Sequence, residues 1–444
     1  MKIIKNKILI DINNEKRQSI LINTLTGTMN VLEIEETECI KKWDNKKEIF
    51  VENVFQKKLY EELIKNKYIV ESSQEEKKIV DNIMEKCRKN HELIKKENPT
   101  VVFVITYKCN FACPYCYENA PLYKEEKILN KEMVDKVFEI HKNIIKKIAF
   151  YGGEPFLPET KSIIEYIISK APDAVYSATT NGYYLEDFID ILKSIKVSNI
   201  MVTLDGTEIL HNKTRILKNG EGTYKKIINS IDKCLNNDIS IKIRMNISEN
   251  NINECMKLRE QFIKKYKTKY DNGILMFELQ PIFQIPSKKR EVLNNKVFFE
   301  KNTENGYPYK YNMMSLTVSP VLREFVNNNN YLFRPRYCNC DAEGKRFFYD
   351  AEGDIYSCIL SLKSKNAIVG KYFPDYYLKN ESILTRNIEN IKECRECKIK
   401  FLCGGGCANE IIDEEGNVMK PNCGFIRNEV YNELPKLFRK YVQE

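Results

Sequence analysis

Val101-Val-Phe-Val-Ile-Thr106-Tyr-Lys-Cys109-Asn-Phe-Ala-Cys113-Pro-Tyr-Cys116 is the stretch from which the rest of this 444-residue chain is read. Its first six residues form an unbroken apolar, β-branched run, the pattern of a strand buried on both faces. Three cysteines follow at once, at spacings CxxxC and CxxC on one loop. Thiolates so placed can wrap a single cubane iron–sulfur cluster. Such a cluster usually takes four cysteines, so three leave one iron open for a small molecule. The plainer alternatives are a structural zinc loop or three incidental buried thiols.

Working outward, the run Val101–Thr106 is the first of six. Lys147–Tyr151, Val175–Thr180, Asn199–Leu204, Ser240–Ile247 and Leu275–Gln280 follow it. Between them lie helix-period segments at Lys131–Ile145, Pro158–Lys170, Leu185–Ile195, Thr223–Asn236 and Ile252–Tyr266. Strand–helix alternation with apolar strands predicts an α/β fold with a parallel sheet covered by helices. Six strands fit a partial (β/α)6 TIM-like barrel over residues 98–282, with its active site at the C-terminal strand ends. Candidate polar groups stand at those ends: Gly152, Gly153 and Glu154 after the second strand, Thr180 and Asn181 after the third, Thr203 and Asp205 after the fourth. Two glycines let a backbone approach a ligand closely. Arg244 and Asn246 on the fifth strand are weaker candidates, and Arg215 has no clear role. Glu278 reads most simply as a solvated strand-end carboxylate.

Composition sets the class. Hydrophobic residues make up 43% and charged residues 30%, as in a soluble globular protein. No apolar run reaches the roughly 18 residues of a membrane span. Asp11 interrupts the first apolar stretch and no small-residue cleavage site follows, so a cytoplasmic location is expected. The net charge of +9 is spread rather than clustered and does not call for nucleic acid. Fifteen cysteines against three histidines, in a chain too long for a secreted disulfide scaffold, favour thiolate metal sites.

Most of those cysteines lie late in the chain. Cys338, Cys340, Cys358, Cys394, Cys397, Cys403, Cys407 and Cys423 fall in residues 337–444, a segment rich in Cys and Gly and short of long helices. It cannot bury much apolar core, so metals are expected to hold it together. A pair of zinc knuckles is the simpler reading. Cys39, Cys87, Cys234 and Cys255 read as core residues. The tail, Phe425–Val442, reads as a closing helix, and residues 283–336 as an unassigned connecting segment. At the other end, residues 1–95 show strand-like runs at Lys7–Ile12, Ser19–Ile22 and Met29–Ile34. Helical patterns at Thr37–Trp43 and Val54–Lys65, a short strand at Tyr68–Glu71, and helix and linker over Gln74–Glu97 complete that region.

The cysteine loop, the Gly152-Gly-Glu154 turn in register after it, and the aromatic Tyr115 before the last cysteine resemble the radical S-adenosylmethionine (SAM) superfamily over roughly residues 98–282. That resemblance implies a [4Fe–4S] cluster on Cys109, Cys113 and Cys116, with SAM chelating the open iron and one electron releasing a 5′-deoxyadenosyl radical. It further implies SAM contacts from Tyr115, Gly152, Gly153, Glu154, Thr180, Asn181, Thr203, Asp205 and Arg244. The spacing Gly-x4-Cys…Cys-x2-Cys-x5-Cys-x3-Cys…Cys is similar to the SPASM domain of peptide-modifying members. By that resemblance two auxiliary [4Fe–4S] clusters are implied, making three in all. One would be held by Cys394, Cys397, Cys403 and Cys423, the other by Cys358, Cys407 and the Cys338/Cys340 pair. The tight Cys-x-Cys departs from the pattern and leaves open whether both ligate.

Residues 1–85 are similar in pattern to the winged-helix-like domain that binds leader peptides in maturases of ribosomally made peptides. The implied function is a peptide maturase that abstracts hydrogen from a precursor peptide with a leader and installs a crosslink. A thioether is favoured and a carbon–carbon bond is the other form. A flavodoxin- or ferredoxin-type reductant is its implied electron source. The rivals are an anaerobic sulfatase maturase that makes formylglycine, and a non-catalytic iron–sulfur electron carrier.

Overall fold

The computed structural model describes residues 1–435 apart from 13–14, 47, 98, 117–126, 248–250, 282–333, 341 and 363. The connecting segment up to residue 333 and the end of the tail helix lie outside the described residues.

The N-terminal region starts with β1 (Lys2–Ile3), β2 (Lys7–Asp11), β3 (Ser19–Asn23) and β4 (Met29–Leu32). Strands β2, β3 and β4 form an antiparallel sheet with β4 at one edge, and β1 pairs with β5 (Ile69–Val70). Helix α1 (Ile34–Asp44) begins where the sequence suggested the strand still ran. Glu33 and Glu36 close a capping box that ends β4 and starts the helix at Ile34. Asn53 caps α2 (Val54–Lys65) by accepting from the Gln56 N–H at 2.8 Å. One continuous helix, α3 (Ser73–Glu97), replaces the expected helix and linker.

The central sheet follows the strand–helix reading closely. Strands β6 (Thr100–Thr106), β7 (Lys147–Gly152), β8 (Val175–Thr180), β9 (Lys196–Thr203), β10 (Ile241–Ile247) and β11 (Leu275–Pro281) pair in parallel in that order. Helices α4 (Lys131–Ile140), α5 (Lys161–Lys170), α6 (Ile189–Lys193), α7 (Glu208–Thr214), α8 (Tyr224–Asn236) and α9 (Ile252–Lys265) connect them. The expected helix Leu185–Ile195 is instead a 3-10 turn over Leu185–Phe188 followed by the short α6. One sheet face carries Phe103, Phe150, Tyr176, Ile200, Ile243 and Phe277 into a continuous core with those helices. The other face is half-buried and polar on the far strands, where Ser177, Thr179, Arg244 and Asn246 stand. This is the partial-barrel architecture of the sequence reading.

The sequence did not disclose β12 (Arg346–Asp350), which pairs in parallel with β6 and extends the sheet on its near side. β13 (Asp354–Tyr356), β14 (Gly370–Lys371) and β15 (Tyr377–Leu378) then continue it antiparallel. Phe348 and Tyr356 pack with Val102, Val104 and Tyr151 on the inner face. The Tyr107 hydroxyl donates to buried Asp350 at 2.8 Å, tying the end of β6 to the new strand.

The N-terminal sheet does not stand apart. Ile8, Ile10, Ile20 and Ile22 share a core with Leu402, Cys403, Ile426 and Val430. Along α3, Met84 packs with Leu25, Tyr337, Ile391 and Phe401. The tail helix starts at Gly424 and passes into a π-helical turn over Glu429–Glu433. Among the described residues, no helix is long and apolar enough to cross a membrane.

Candidate active site

The site grows from the end of β6. Thr106 is the last strand residue, and its carbonyl accepts the Gly153 N–H at 2.9 Å while the Lys108 carbonyl accepts the Glu154 N–H at 2.9 Å. The turn after β7 is thus clamped to the loop that carries Cys109, Cys113 and Cys116. A Cβ on Gly152, at φ +142°, would lie 2.2 Å from the Thr106 oxygen, and one on Gly153 would lie 2.4 Å from the Tyr107 oxygen. Both glycines are therefore needed for the approach of the cysteine loop's own backbone. The closeness expected of these glycines is thus seen toward the loop that carries the cysteines.

Glu154 is buried, and its carboxylate accepts from the Thr180 hydroxyl at 2.5 Å, the Asn181 N–H at 2.6 Å and the Phe156 N–H at 3.0 Å. Burial raises its pKa, and these three donors oppose the rise. Asn181 reaches back to the cysteine loop, donating to Asn110 Oδ1 at 2.8 Å and lying 3.9 Å from the Cys109 sulfur. Three strand ends and the cysteine loop therefore form one hydrogen-bonded unit.

A second group surrounds Tyr115. Its hydroxyl donates to Asp205 and accepts from Arg215 at 2.9 Å. The Asn246 side chain also approaches it at 3.4 Å, and the Asn246 N–H donates to Asp205 at 3.3 Å. Burial raises the Asp205 pKa, and the Arg215 charge pulls it back. Arg215 stacks over Phe111 at 5.5 Å and its buried Nε has no hydrogen-bond partner. An orphaned guanidinium N–H beside the cysteine loop suits an anionic ligand. Arg215 was singled out in the sequence with its role left open. What places it is pairing between backbones: the Ala112 N–H donates to Ile216 and the Lys218 N–H to Asn110. Thr203 lies in register with Arg244 at the end of β9. Arg244 forms two hydrogen bonds with Glu278, at 2.9 and 2.6 Å. Glu278 is buried, not the solvated carboxylate expected, because Arg244 neutralises it within the barrel.

Three thiols on one loop, Cys113 buried and Cys109 and Cys116 half-buried, fit a cationic cluster. The Cys109 pKa is pushed up to about 12 by burial first, then by Glu154, Cys113 and Cys116. Thiols that disfavour one another's ionisation become thiolates when a metal lies between them. Among the described residues, no three His, Cys, Asp or Glu side chains converge on the one point a single ion needs.

Residues 103–261 match the radical SAM superfamily. The chain carries a radical SAM domain and is an enzyme. A GTP 3′,8-cyclase of Campylobacter jejuni is 31% identical over 203 residues, 42% of this chain and 62% of that one. A cysteine-type anaerobic sulfatase-maturating enzyme of Clostridium novyi is 25% identical over 331 residues, covering 67% and 84%. In fold, the radical SAM chain resembles Streptococcus suis SuiB bound to S-adenosylmethionine, with TM-score 0.54 and 16% identity over 96% of this chain and 99% of that one. SuiB has also been solved with its precursor peptide SuiA. The radical SAM domain takes S-adenosylmethionine and a [4Fe–4S] cluster as its cofactors.

The later cysteines gather into two groups in this radical SAM enzyme. Cys394, Cys397, Cys403 and Cys423 act on one another electrostatically, and burial together with these neighbours pushes Cys394 up to about 12. Cys340, Cys358 and Cys407 form the other group. The Cys338 sulfur lies 3.5 Å from Nδ1 of His91 on α3. Cys39, Cys234 and Cys255 are buried in apolar cores as expected, and Cys87 is half-buried.

Proposed function

We propose that the chain is a peptide maturase that abstracts hydrogen from a ribosomally made precursor and closes an intrapeptide crosslink. The observation that carries this is the N-terminal sheet, docked through Ile8, Ile10, Ile20 and Ile22 onto the cysteine-rich C-terminal region with the edge strand β4 outermost. Val31 on that strand and Ile34 just after it are exposed. A leader peptide would add a strand at β4 and lay apolar side chains against them. Tethering there raises the effective concentration of the core peptide at the radical site. Support also comes from the likeness to SuiB over nearly the whole chain, N-terminal region included.

In this reading Cys109, Cys113 and Cys116 hold the SAM cluster, with Tyr115, Gly152, Gly153, Glu154, Thr180, Asn181, Thr203, Asp205 and Arg244 around SAM. Arg215 joins them, its orphaned N–H facing an anionic group. With SAM bound, the cluster supplies one electron and the domain yields a 5′-deoxyadenosyl radical. Glu154 and Asn181 fix the cysteine loop against β7 and β8. Tyr115 and Asp205 orient Arg215. The Cys340 and Cys394 groups would hold auxiliary clusters, which would supply an acceptor for one electron near the substrate. A thioether is favoured where an auxiliary iron is open to hold the substrate sulfur, and a carbon–carbon bond is the alternative. A flavodoxin- or ferredoxin-type protein is the reductant, and the enzyme works in the cytoplasm.

A sulfatase maturase is the second reading, favoured by the sulfatase-maturating relative. Deleting residues 1–90 separates the two. The deletion should abolish turnover of a leader-bearing peptide while leaving dithionite-driven 5′-deoxyadenosine formation. Undiminished peptide turnover would favour the sulfatase-maturase reading. Mass spectrometry of a Cys-rich peptide encoded beside this gene, after co-expression, should show a loss of hydrogen mass at a crosslinked pair.

A further inference from the structure

Cys340, Cys358 and Cys407 supply three thiols where a cubane cluster asks for four ligands. Cys338 is the obvious fourth, yet its sulfur lies 3.5 Å from His91 Nδ1 and 3.5 Å from the Cys340 carbonyl oxygen. His91 comes from α3, which Met84 and the Arg88–Glu389 pair fix to the same region. Drawing Cys338 into the cluster would break these contacts at a buried helix face.

Glu343 is the other candidate. It is fully buried, one carboxylate oxygen accepts the Cys340 N–H at 3.1 Å, and the carboxylate acts electrostatically on both Cys340 and Cys358. Its other oxygen, Oε1, has no hydrogen-bond partner. The closest cation is Arg386, whose Nη1 lies 3.5 Å away. Arg386 is already committed: it donates to the carbonyls of Gly405, Gly406, Val418 and Lys420 at 2.6–3.1 Å. Four of its five N–H groups are thus used. A buried carboxylate oxygen without a donor is costly unless something cationic meets it.

We propose that Glu343 is the fourth ligand of this auxiliary cluster, with Cys340, Cys358 and Cys407, and that Cys338 is not a ligand. The inference rests on the reading that these cysteines hold a [4Fe–4S] cluster. An oxygen ligand makes one iron of this cube unlike the other three, since carboxylate is a harder donor than thiolate.

The test is 57Fe Mössbauer spectroscopy and iron analysis on anaerobically reconstituted full-length enzyme. Wild type should bind about twelve iron per chain if three cubanes form. A chain holding only about four or eight would overturn the auxiliary-cluster reading itself. With twelve bound, a Triple Cys109→Ala, Cys113→Ala, Cys116→Ala variant isolates the auxiliary clusters. It should show one iron in about eight with the higher isomer shift of an oxygen ligand. Glu343→Cys should restore an all-sulfur spectrum at unchanged iron. Cys338→Ala should keep the full complement, whereas Cys340→Ala should lose about four. An all-sulfur spectrum in the triple variant, or equal iron loss from Cys338→Ala, would overturn the proposal. Because the first spectrum needs no change at Glu343, a misfolded Glu343 variant leaves the test intact.

Discussion

At the scale of single residues, the glycines after β7 make the sharpest demand. The cysteine loop lies so close to Gly153 that any side chain there meets the backbone oxygens of Tyr107 and Lys108. Gly153→Ala should therefore lose most of the iron of the SAM cluster, about four per chain, and with it 5′-deoxyadenosine formation. The auxiliary iron and the thermal midpoint should change little, and iron analysis beside a melting curve checks both. A different residue governs acid stability. His141 is bonded to the Tyr349 hydroxyl at 2.8 Å, and burial pushes its pKa down to about 4 from 6.5. Between those values the unfolded chain binds a proton that the folded chain does not. Stability therefore falls as pH drops through 6.5 and goes on falling to about 4. His141→Gln should lower the urea midpoint at pH 7 yet flatten its decline between pH 7 and 5. An equal decline in both proteins would remove His141 as the cause.

At the scale of elements, α3 joins the N-terminal sheet to the C-terminal region through two kinds of contact. Arg88 pairs with Glu389, but its side chain is 50% exposed, so Arg88→Ala should cost no more than about 1 kcal/mol. Met84, buried among Leu25, Tyr337 and Phe401, should cost about 2–5 kcal/mol as alanine. Chemical denaturation of the two variants tests that order. The elements also differ in how plainly the sequence announced them. Strands β6 to β11 were legible because each is a short apolar run bounded by polar turns, and parallel strands need little else. The extent of β4 was misread because Ile34 is as apolar as a strand residue, and only the Glu33–Glu36 capping box ends the strand. Cys109, Cys113 and Cys116 were legible from spacing alone. Arg215 was not, since pairing of Ile216 and Lys218 with a distant loop leaves no local pattern. The Cys-x-Cys at 338 and 340 could not be resolved either. His91, 3.5 Å from the Cys338 sulfur, lies far away in sequence.

At the scale of the whole molecule, the half-buried polar inner face of the barrel strands is open toward solvent, while the C-terminal region closes it at β6 and β7. The N-terminal sheet rests on that same region, so the β4 edge and the C-terminal cysteines belong to one continuous body. Val31→Glu, on the edge strand β4 at 38% exposure, should weaken binding of a leader peptide at least tenfold in a fluorescence titration. SAM cleavage without peptide should be unaffected. The pairing of β12 with β6 bears on how the protein is made. Strand β6 ends at Thr106, but its second neighbour begins only at Arg346, so a ribosome must deliver all of the barrel helices first. At about 5–20 residues per second, the β6 edge stays bare for on the order of tens of seconds. A bare apolar edge invites pairing with another nascent chain. A protein stopped at residue 336 should therefore collect in inclusion bodies even when iron is plentiful. Supplying residues 337–444 as a separate chain during synthesis should return part of it to the soluble fraction.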